Sequence, residues 1–532
     1  MNYLPFGDDN AEDDSLLIPC AYDKKDPEEE RYILLGRWGV GKTGTLLLQN
    51  QIQNEKLKAI DRRLDRIWYI NENGLDIVSL FKLKEKYTDT QTFVKAIEKI
   101  WKIEITRIYA LILYNLKDDL GNHEGTHWKY LSKAVKDNNT FFRAIWRNAP
   151  KIIDVFTSGD DENSLQAIGD EMRVVASEKL FENVKLCLGD IHDTQKIPTV
   201  VVEPIETPTS EVERDEGIAH SLIQALLNCW HAHFKPNRGK FKVKISIPWH
   251  RDITDDLDFP QKVFQHKTIV EWNKEQLKGF IEKRIEYEFT RVQKYRHGIK
   301  DSPNLWYELF EEKIINGFCG YEEDSFDYFV RHTHFRPRDL LRLVRQCIVL
   351  HAKVENLSID DAIKKKIPAI TIKQAFHAIN PEVTKQLIVE GERRFAGIKT
   401  ICNNLTGLPL PFTIEQIRKR IKEVSDIPFS DAAKHLWEAG IIGVVAIPNS
   451  LTCSNKMEIH FNISARKIYN EPNSNKKEHV WTWFEYNYNG SVLDLMDKLE
   501  LYACSKNSLV FHPKTYEFLL PRHDKDFCFP IG

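Results

Sequence analysis

Eight consecutive residues, Gly36-Arg37-Trp38-Gly39-Val40-Gly41-Lys42-Thr43, fit the pattern GxxxxGK[ST] completely. The spacing has a chemical reason. Glycines let backbone N–H groups curl round a phosphate without Cβ clashes. A helix starting near Gly41 points the positive end of its dipole at the anion. The Lys42 ammonium can reach β- and γ-phosphates, and the Thr43 hydroxyl can ligate Mg2+. The stretch from Gly36 to Gly44 therefore predicts a cradle for the triphosphate of ATP with its Mg2+. Gly39, Gly41 and Gly44 also satisfy GxGxxG, the dinucleotide fingerprint. That reading gives the Lys-Thr pair no task and wants an acid about 20 residues on. The nearest candidate, Glu72, lies too far along.

A phosphate loop needs an acid at the end of a neighbouring strand for Mg2+ or its water, and often a second acid to orient the attacking water. Val200-Val201-Val202-Glu203-Pro204-Ile205-Glu206 offers both. Glu203 ends the apolar run and is the expected metal-side acid, while Glu206 is the expected base. Glutamate where aspartate is usual adds a methylene to the metal shell, which predicts slow turnover. After the next strand, Ile247-Pro248-Trp249-His250-Arg251-Asp252 supplies Arg251 or His250 as a γ-phosphate sensor. Phe335-Arg336-Pro337-Arg338-Asp339-Leu340-Leu341 opens a helix, since Pro suits a first turn. Leu340, Leu343, Val344, Cys347 and Ile348 form its apolar stripe. Two arginines at a helix start oppose the dipole unless an anion lies near, which assigns Arg336 or Arg338 to the phosphates.

Other polar clusters point to less. His123-Glu124-Gly125-Thr126-His127 matches HExxH, but zinc chemistry needs both histidines on one helix face. Gly121-Asn122 and Gly125 disfavour a helix, so the segment reads as a loop. The HAH at 231–233 and the HTH at 332–334 lack further ligands at suitable spacing and read as surface histidines.

The elements that must position these groups follow from apolar patterning. Residues 1–31 are highly charged and read as an irregular lead-in. Tyr32-Ile33-Leu34-Leu35 is a short continuous apolar run, as a buried parallel strand shows. Ile67-Trp68-Tyr69-Ile70, Thr199-Val200-Val201-Val202 and Phe241–Ile247 are further strands, with a connecting helix in SEVERDEGIAHSLIQALLNCW. Alternating strands and helices favour a parallel sheet. Helix-like periodicity over roughly 75–190 predicts a large helical insertion, and 270–385 reads as helical too. From Pro411, the helices TIEQIRKRIKEV and SDAAKHLWEAGII precede the strands GVVAIP and MEIHFNI, two helices and then a hairpin, as in a winged helix.

Composition excludes several classes. Lys plus Arg is 75 and Asp plus Glu is 78, a formal charge of −3, which argues against a dedicated polycation. A hydrophobic fraction of 42% with 12 Trp, 18 Tyr and 28 Phe supports folded domains with large cores. No run of about 18 apolar residues predicts a membrane span. The start MNYLPFGDDNAEDD lacks a signal-peptide pattern. Nine scattered Cys without a CxxC pair read as reduced thiols packed as small hydrophobes, which predicts a cytoplasmic protein.

With these residues in hand, the sequence resembles bacterial P-loop ATPases of the origin-recognition-complex-like branch, within the STAND and AAA+ assemblage. The resemblance rests on Phe6-Gly7 and Ala11-Glu12-Asp13-Asp14, on GRWGVGKT, on the stretch from Trp272 to Ile285, on FRPRDLL and on LWEAGIIG. It implies an α/β fold: a P-loop NTPase parallel-sheet core over 31–268, a helical lid over 269–405 and a winged-helix-like domain with a tail over 406–532. It also implies nucleotide-driven opening, a homo-oligomer or a complex with a separate effector protein, and roles in antiviral defence. Glu203 and Glu206 depart from the aspartates of that family, and Trp249-His250-Arg251-Asp252 departs from its Arg-x-Asp after the sensor strand. Arg214 is one candidate arginine finger. The expected function is a nucleotide-dependent ATPase switch. The alternatives are a DNA-binding ATP-dependent loader and a catalytically dead scaffold. Residues 411–470 carry eight Lys/Arg against six Asp/Glu, with Arg418, Lys419, Arg420 and Lys422 on one helix.

Overall fold

A computed structural model of the chain describes residues 6, 32–36, 40–42, 44–45, 68–71, 84, 89–120, 125–137, 178–192, 197–203, 216–235, 240–248, 267–293, 304–315, 322–395, 397–408, 412–448, 467–470, 477–483 and 504–511. The chain divides into two compact units, one of residues 22–271 and one that joins residues 1–21 to 272–532.

In the first unit the short apolar runs are strands: β1 (Ile33–Gly36), β2 (Trp68–Asn71), β3 (Thr199–Glu203) and β4 (Lys242–Pro248). A fifth, β5 (Lys267–Ile269), was not expected, because three residues are too few to show a period. All five run parallel, in the order β2-β3-β4-β1-β5. The helices α1 (Thr90–Asn115), α2 (Lys117–Leu120), α3 (Thr126–Asp137) and α4 (Glu178–Asp190) lie between β2 and β3. Between β3 and β4 lies α5 (Glu216–Cys229), which runs into a π-helical turn, Trp230–Phe234.

Topology sets the faces. The steps β2→β3 and β3→β4 move the same way across the sheet, and right-handed crossovers then place α1–α5 on one face. Ile33 and Leu35 of β1, Val200 and Val202 of β3, and Val243, Ile245 and Ile247 of β4 accordingly share one core with α1, α4 and α5. Indole donors tie this core to backbone: Trp101 Nε1 donates to the Leu222 carbonyl at 3.1 Å and Trp230 Nε1 to that of Val243 at 2.9 Å. The Tyr109 hydroxyl donates to the Pro198 carbonyl and accepts from the Lys242 N–H, joining the starts of β3 and β4.

The second unit is mostly helical. It opens with α6 (Lys274–Arg291), where Asn273 and Gln276 form a capping box, and α7 (Leu305–Leu309). A small antiparallel hairpin, β6 (Lys313–Ile315) and β7 (Glu322–Asp324), interrupts a stretch expected to be helical throughout. Then follow α8 (Ser325–Arg331), α9 (Pro337–Val354), α10 (Ile359–Lys364) and α11 (Ala369–Arg394). Trp306, Phe310, Phe326 and Phe329 cluster with ring centroids 4.4–4.9 Å apart, and the Trp306 indole Nε1 donates to Ser325 Oγ. α12 (Ile398–Leu405), α13 (Ile414–Lys422) and α14 (Phe429–Glu438) share a second core with Ile442 and Val444.

The described residues hold one strand of the expected hairpin, the one read in GVVAIP. That strand is β8 (Ile442–Pro448); β10 (Lys477–Trp483) and β11 (Cys504–Phe511) take its two edges, and β9 (Lys467–Asn470) pairs outside β10. MEIHFNI, residues 457–463, lies outside the described residues.

Candidate functional site

Ligands in open parallel sheets bind beyond the carboxyl ends of adjacent strands whose connections leave in opposite directions. β1 and β4 are such a pair: the chain goes from β1 to the far edge at β2, and from β4 the other way to β5. The carboxyl end of β1 is Gly36, opposite Pro248 of β4. The glycine loop thus starts at the position where sheet topology opens a crevice.

Its described residues have specific reasons for their types. A Cβ on Gly36 would lie 2.7 Å from Val40 Cγ2 and 3.1 Å from the Val270 carbonyl oxygen, so the close return of the loop demands glycine. Gly41 has φ +86°, a left-handed conformation, while a Cβ there would meet nothing. The demand at Gly41 is conformational, the one at Gly36 steric. Lys42, Gly44 and Thr45 are helical, and Thr45 returns both its N–H and its hydroxyl to the Gly41 carbonyl at 2.9 Å. Lys42 is buried, and its Nζ donates to the Gly36 carbonyl at 2.8 Å. An ammonium therefore sits across the loop between its first residue and the helix start. Arg37, Trp38, Gly39 and Thr43 lie outside the described residues.

Glu203 is the last residue of β3, paired with Asn71 of β2 and 8% exposed. β4 separates it from the loop strand. Val202 is level with Ile245, and Ile245 with Ile33, so Glu203 stands about two residues, or ~6.6 Å, behind Gly36 along the strands. Strand alternation turns Glu203 to the face away from Val200 and Val202, the face that also carries Lys244 and Ser246 of β4. Lys244 is 1% exposed. Sequence reasoning missed it: the alternation in KVKISI reads as a half-solvated strand, whereas β4 is central. Glu206 and Arg251, like Arg214, lie outside the described residues.

Arg336 and Arg338 belong to the other compact unit. Arg336 is the N-cap of α9 and half-buried; Arg338 is exposed in the first turn, where Asp339 supplies the sign the dipole favours. The expected apolar stripe is present: Leu340, Leu343, Val344, Cys347 and Ile348 are buried, with Leu341, His351 and Ala352 beside them.

The histidines depart from expectation. His127 is helical, in the first turn of α3, and its Nε2 is paired with Asp190, which also accepts from Trp128 Nε1. This contact joins α3 to the end of α4; His123 lies outside the described residues, among which no group of three or more His, Cys, Asp or Glu could hold a metal. His231 and His233 are half-buried. His332 and His334 are buried, not on the surface as their polarity suggests. Rings and carbonyls make that tolerable: His332 packs between Tyr328 and Phe376, and His334 Nε2 contacts the Gly440 carbonyl at 3.2 Å. The described cysteines 187, 229, 347 and 402 are free and buried, and burial pushes their thiols up, to about 12 for Cys187 and Cys402.

His351 is a further buried imidazole. Neither of its ring nitrogens has a hydrogen-bond partner, and burial holds its pKa below the ordinary 6.5. Glu355 pulls the other way and Lys365 adds to the depression. The unfolded chain takes up a proton that the folded one resists, so stability from this group is complete above about pH 6.5 and falls as pH drops through the depressed value. Between about pH 7.5 and about pH 5.5 the urea midpoint of the helical unit should fall less in His351→Leu than in the native chain.

No helix among the described residues is long and apolar enough to cross a membrane. No curated protein matches the chain significantly. Residues 275–366, which run from α6 through α10, match FunZ_C, the FunZ-associated C-terminal helical domain, so over that stretch the chain is similar to a helical domain that accompanies FunZ.

Proposed function

We propose that this chain is an ATP-binding switch that hydrolyses ATP slowly and regulates a partner protein. One observation carries the reading: a buried lysine, following a left-handed glycine, spans the loop at the carboxyl end of β1, at the switch point of a parallel sheet. That donor set suits a phosphate: an ammonium, and a helix start whose backbone N–H groups point outward. In this reading Lys42 leaves the Gly36 carbonyl for the β- and γ-phosphates. Thr43 and Glu203 would hold Mg2+, which would supply charge neutralisation on the phosphates. Glu206 would orient water, and Arg251, Arg336 or Arg338 would sense the γ-phosphate. Such parts belong to a P-loop core of AAA+ or STAND type. The defence setting rests on the resemblance carried by GRWGVGKT and FRPRDLL.

The test is calorimetry of the purified chain with Mg-ATP, followed by phosphate release over hours. Saturable binding with slow release is expected. No binding at millimolar Mg-ATP would sink the nucleotide reading.

The exposed Arg418, Lys419 and Lys422 on α13 favour a second reading, DNA binding. Against it, α14, the following helix, presents Asp431, and its Lys434 is paired with Glu438 at 3.8 Å. Duplex affinity measured against salt separates the two, since real phosphate contacts give a steep slope.

A further inference from the structure

Phe6 is fully buried although it lies in the highly charged start of the chain. Its backbone is held from both sides by α6. The Phe6 N–H donates to Glu288 Oε1 at 2.7 Å, and Arg284 Nη1 donates to the Phe6 carbonyl. Both side chains are themselves buried, Glu288 at 0% and Arg284 at 3% exposure. Phe6 adopts φ +67°, a left-handed conformation that costs a non-glycine residue about 1 kcal/mol. A residue stays there only where its surroundings over-determine it.

The groups that hold Phe6 are themselves braced. Arg291 Nε donates to the second Glu288 oxygen, Oε2, at 2.9 Å, which leaves Oε1 aimed at the Phe6 amide. The same guanidinium reaches Asp360 of α10 at 2.7 Å. That bond holds the Asp360 carboxyl below the usual range. A carboxylate for an N–H, a guanidinium for a C=O, and burial for one aromatic ring together read a single residue of a turn. Arg284, Glu288, Arg291 and Asp360 all lie within residues 275–366, whereas the residue they read lies 282 positions before Glu288.

We propose that α6 carries a peptide-binding site whose resident ligand is this chain's own Phe6 turn. The consequence is one of connectivity. Residues 1–21 belong to the helical unit, residues 22–271 to the sheet unit, and the rest again to the helical unit. The chain therefore crosses between units twice, and the first crossing leads into β1 and its glycine loop. This inference stands whether or not the loop binds a nucleotide.

The experiment uses the full chain and a labelled peptide of residues 1–14. Phe6→Ala removes the resident ring, so that variant should bind the peptide about tenfold or more tightly than the native chain, whose own Phe6 competes. A peptide carrying the same alanine should not bind. Adding Glu288→Gln to the Phe6→Ala chain should weaken peptide binding about tenfold, as loss of a charge-assisted hydrogen bond does. Equal binding of the two peptides, or no binding by a Phe6→Ala chain that unfolds cooperatively, would overturn the proposal. Hydrogen exchange in the native chain reads the same contact without vacating the site. The Phe6 amide should be protected there and lose about tenfold of that protection in Glu288→Gln. An unprotected Phe6 amide in the native chain would also overturn it.

Discussion

Replacing Lys42 by alanine should reduce affinity for Mg-ATP by about 10- to 150-fold, the equivalent of one lost charge-assisted hydrogen-bonding group at about 1.5–3 kcal/mol. The ammonium is the one described side chain of the loop that can meet a phosphate, because Gly36, Gly41 and Gly44 carry none and Val40 is buried. The variant should fold. Its loss removes one donor to the Gly36 carbonyl, a neutral acceptor at the end of β1, at a cost of about 1 kcal/mol. Calorimetry and thermal unfolding on the same sample separate the two effects. Unchanged affinity in a folded Lys42→Ala chain would mean that this loop does not hold the phosphates. Lys42→Arg is no safe substitute, since the longer planar head cannot occupy the position of a point charge bonded back to Gly36.

The largest stability effect is expected at the Glu323–Arg331 pair. Arg331 Nη2 lies 3.0 Å from Glu323 Oε2, and the two side chains are 2% and 3% exposed. Alternation along β7 turns Glu323 inward, between the exposed Glu322 and the half-buried Asp324, while Arg331 ends α8 over the Tyr328 ring. Glu323→Leu removes the carboxylate paired with a buried guanidinium and should cost the helical unit about 3–5 kcal/mol. Glu323→Leu with Arg331→Leu should recover much of that loss, because two apolar side chains leave no buried charge behind. Urea unfolding followed by tryptophan emission will report it, since Trp306 lies in the same unit. A two-unit chain can unfold in two steps, and the helical unit's transition is the one that should move. A double variant as unstable as the single one would show that packing, not charge burial, sets the cost.

The elements that rest on local physics were legible. The apolar runs at 33–35, 68–70 and 200–202 and the alternating stretch at 243–247 became parallel strands. Proline at the first turn and a stripe from Leu340 to Ile348 became α9. Thr413 and Gln416 closed the capping box of the helix read in TIEQIRKRIKEV. Glycine at 36 and 41 was expected for its freedom, and the two positions need it for different reasons. Local reading failed where distant parts of the chain meet. β5 is a strand because β1 offers it an edge. His332 and His334 are buried because aromatic rings and the Gly440 carbonyl cover them.

By itself, then, the amino-acid order determined the strands β1 to β4, the helices α9 and α13 and where the glycine loop begins, since periodicity, caps and glycine conformations act over four residues or fewer. Only the tertiary structure decided that β4 separates Glu203 from the loop strand, that Lys244 is interior, and that Phe6 docks on α6. Those outcomes depend on which strand edges and helix faces find one another, and no spacing within a segment encodes that choice.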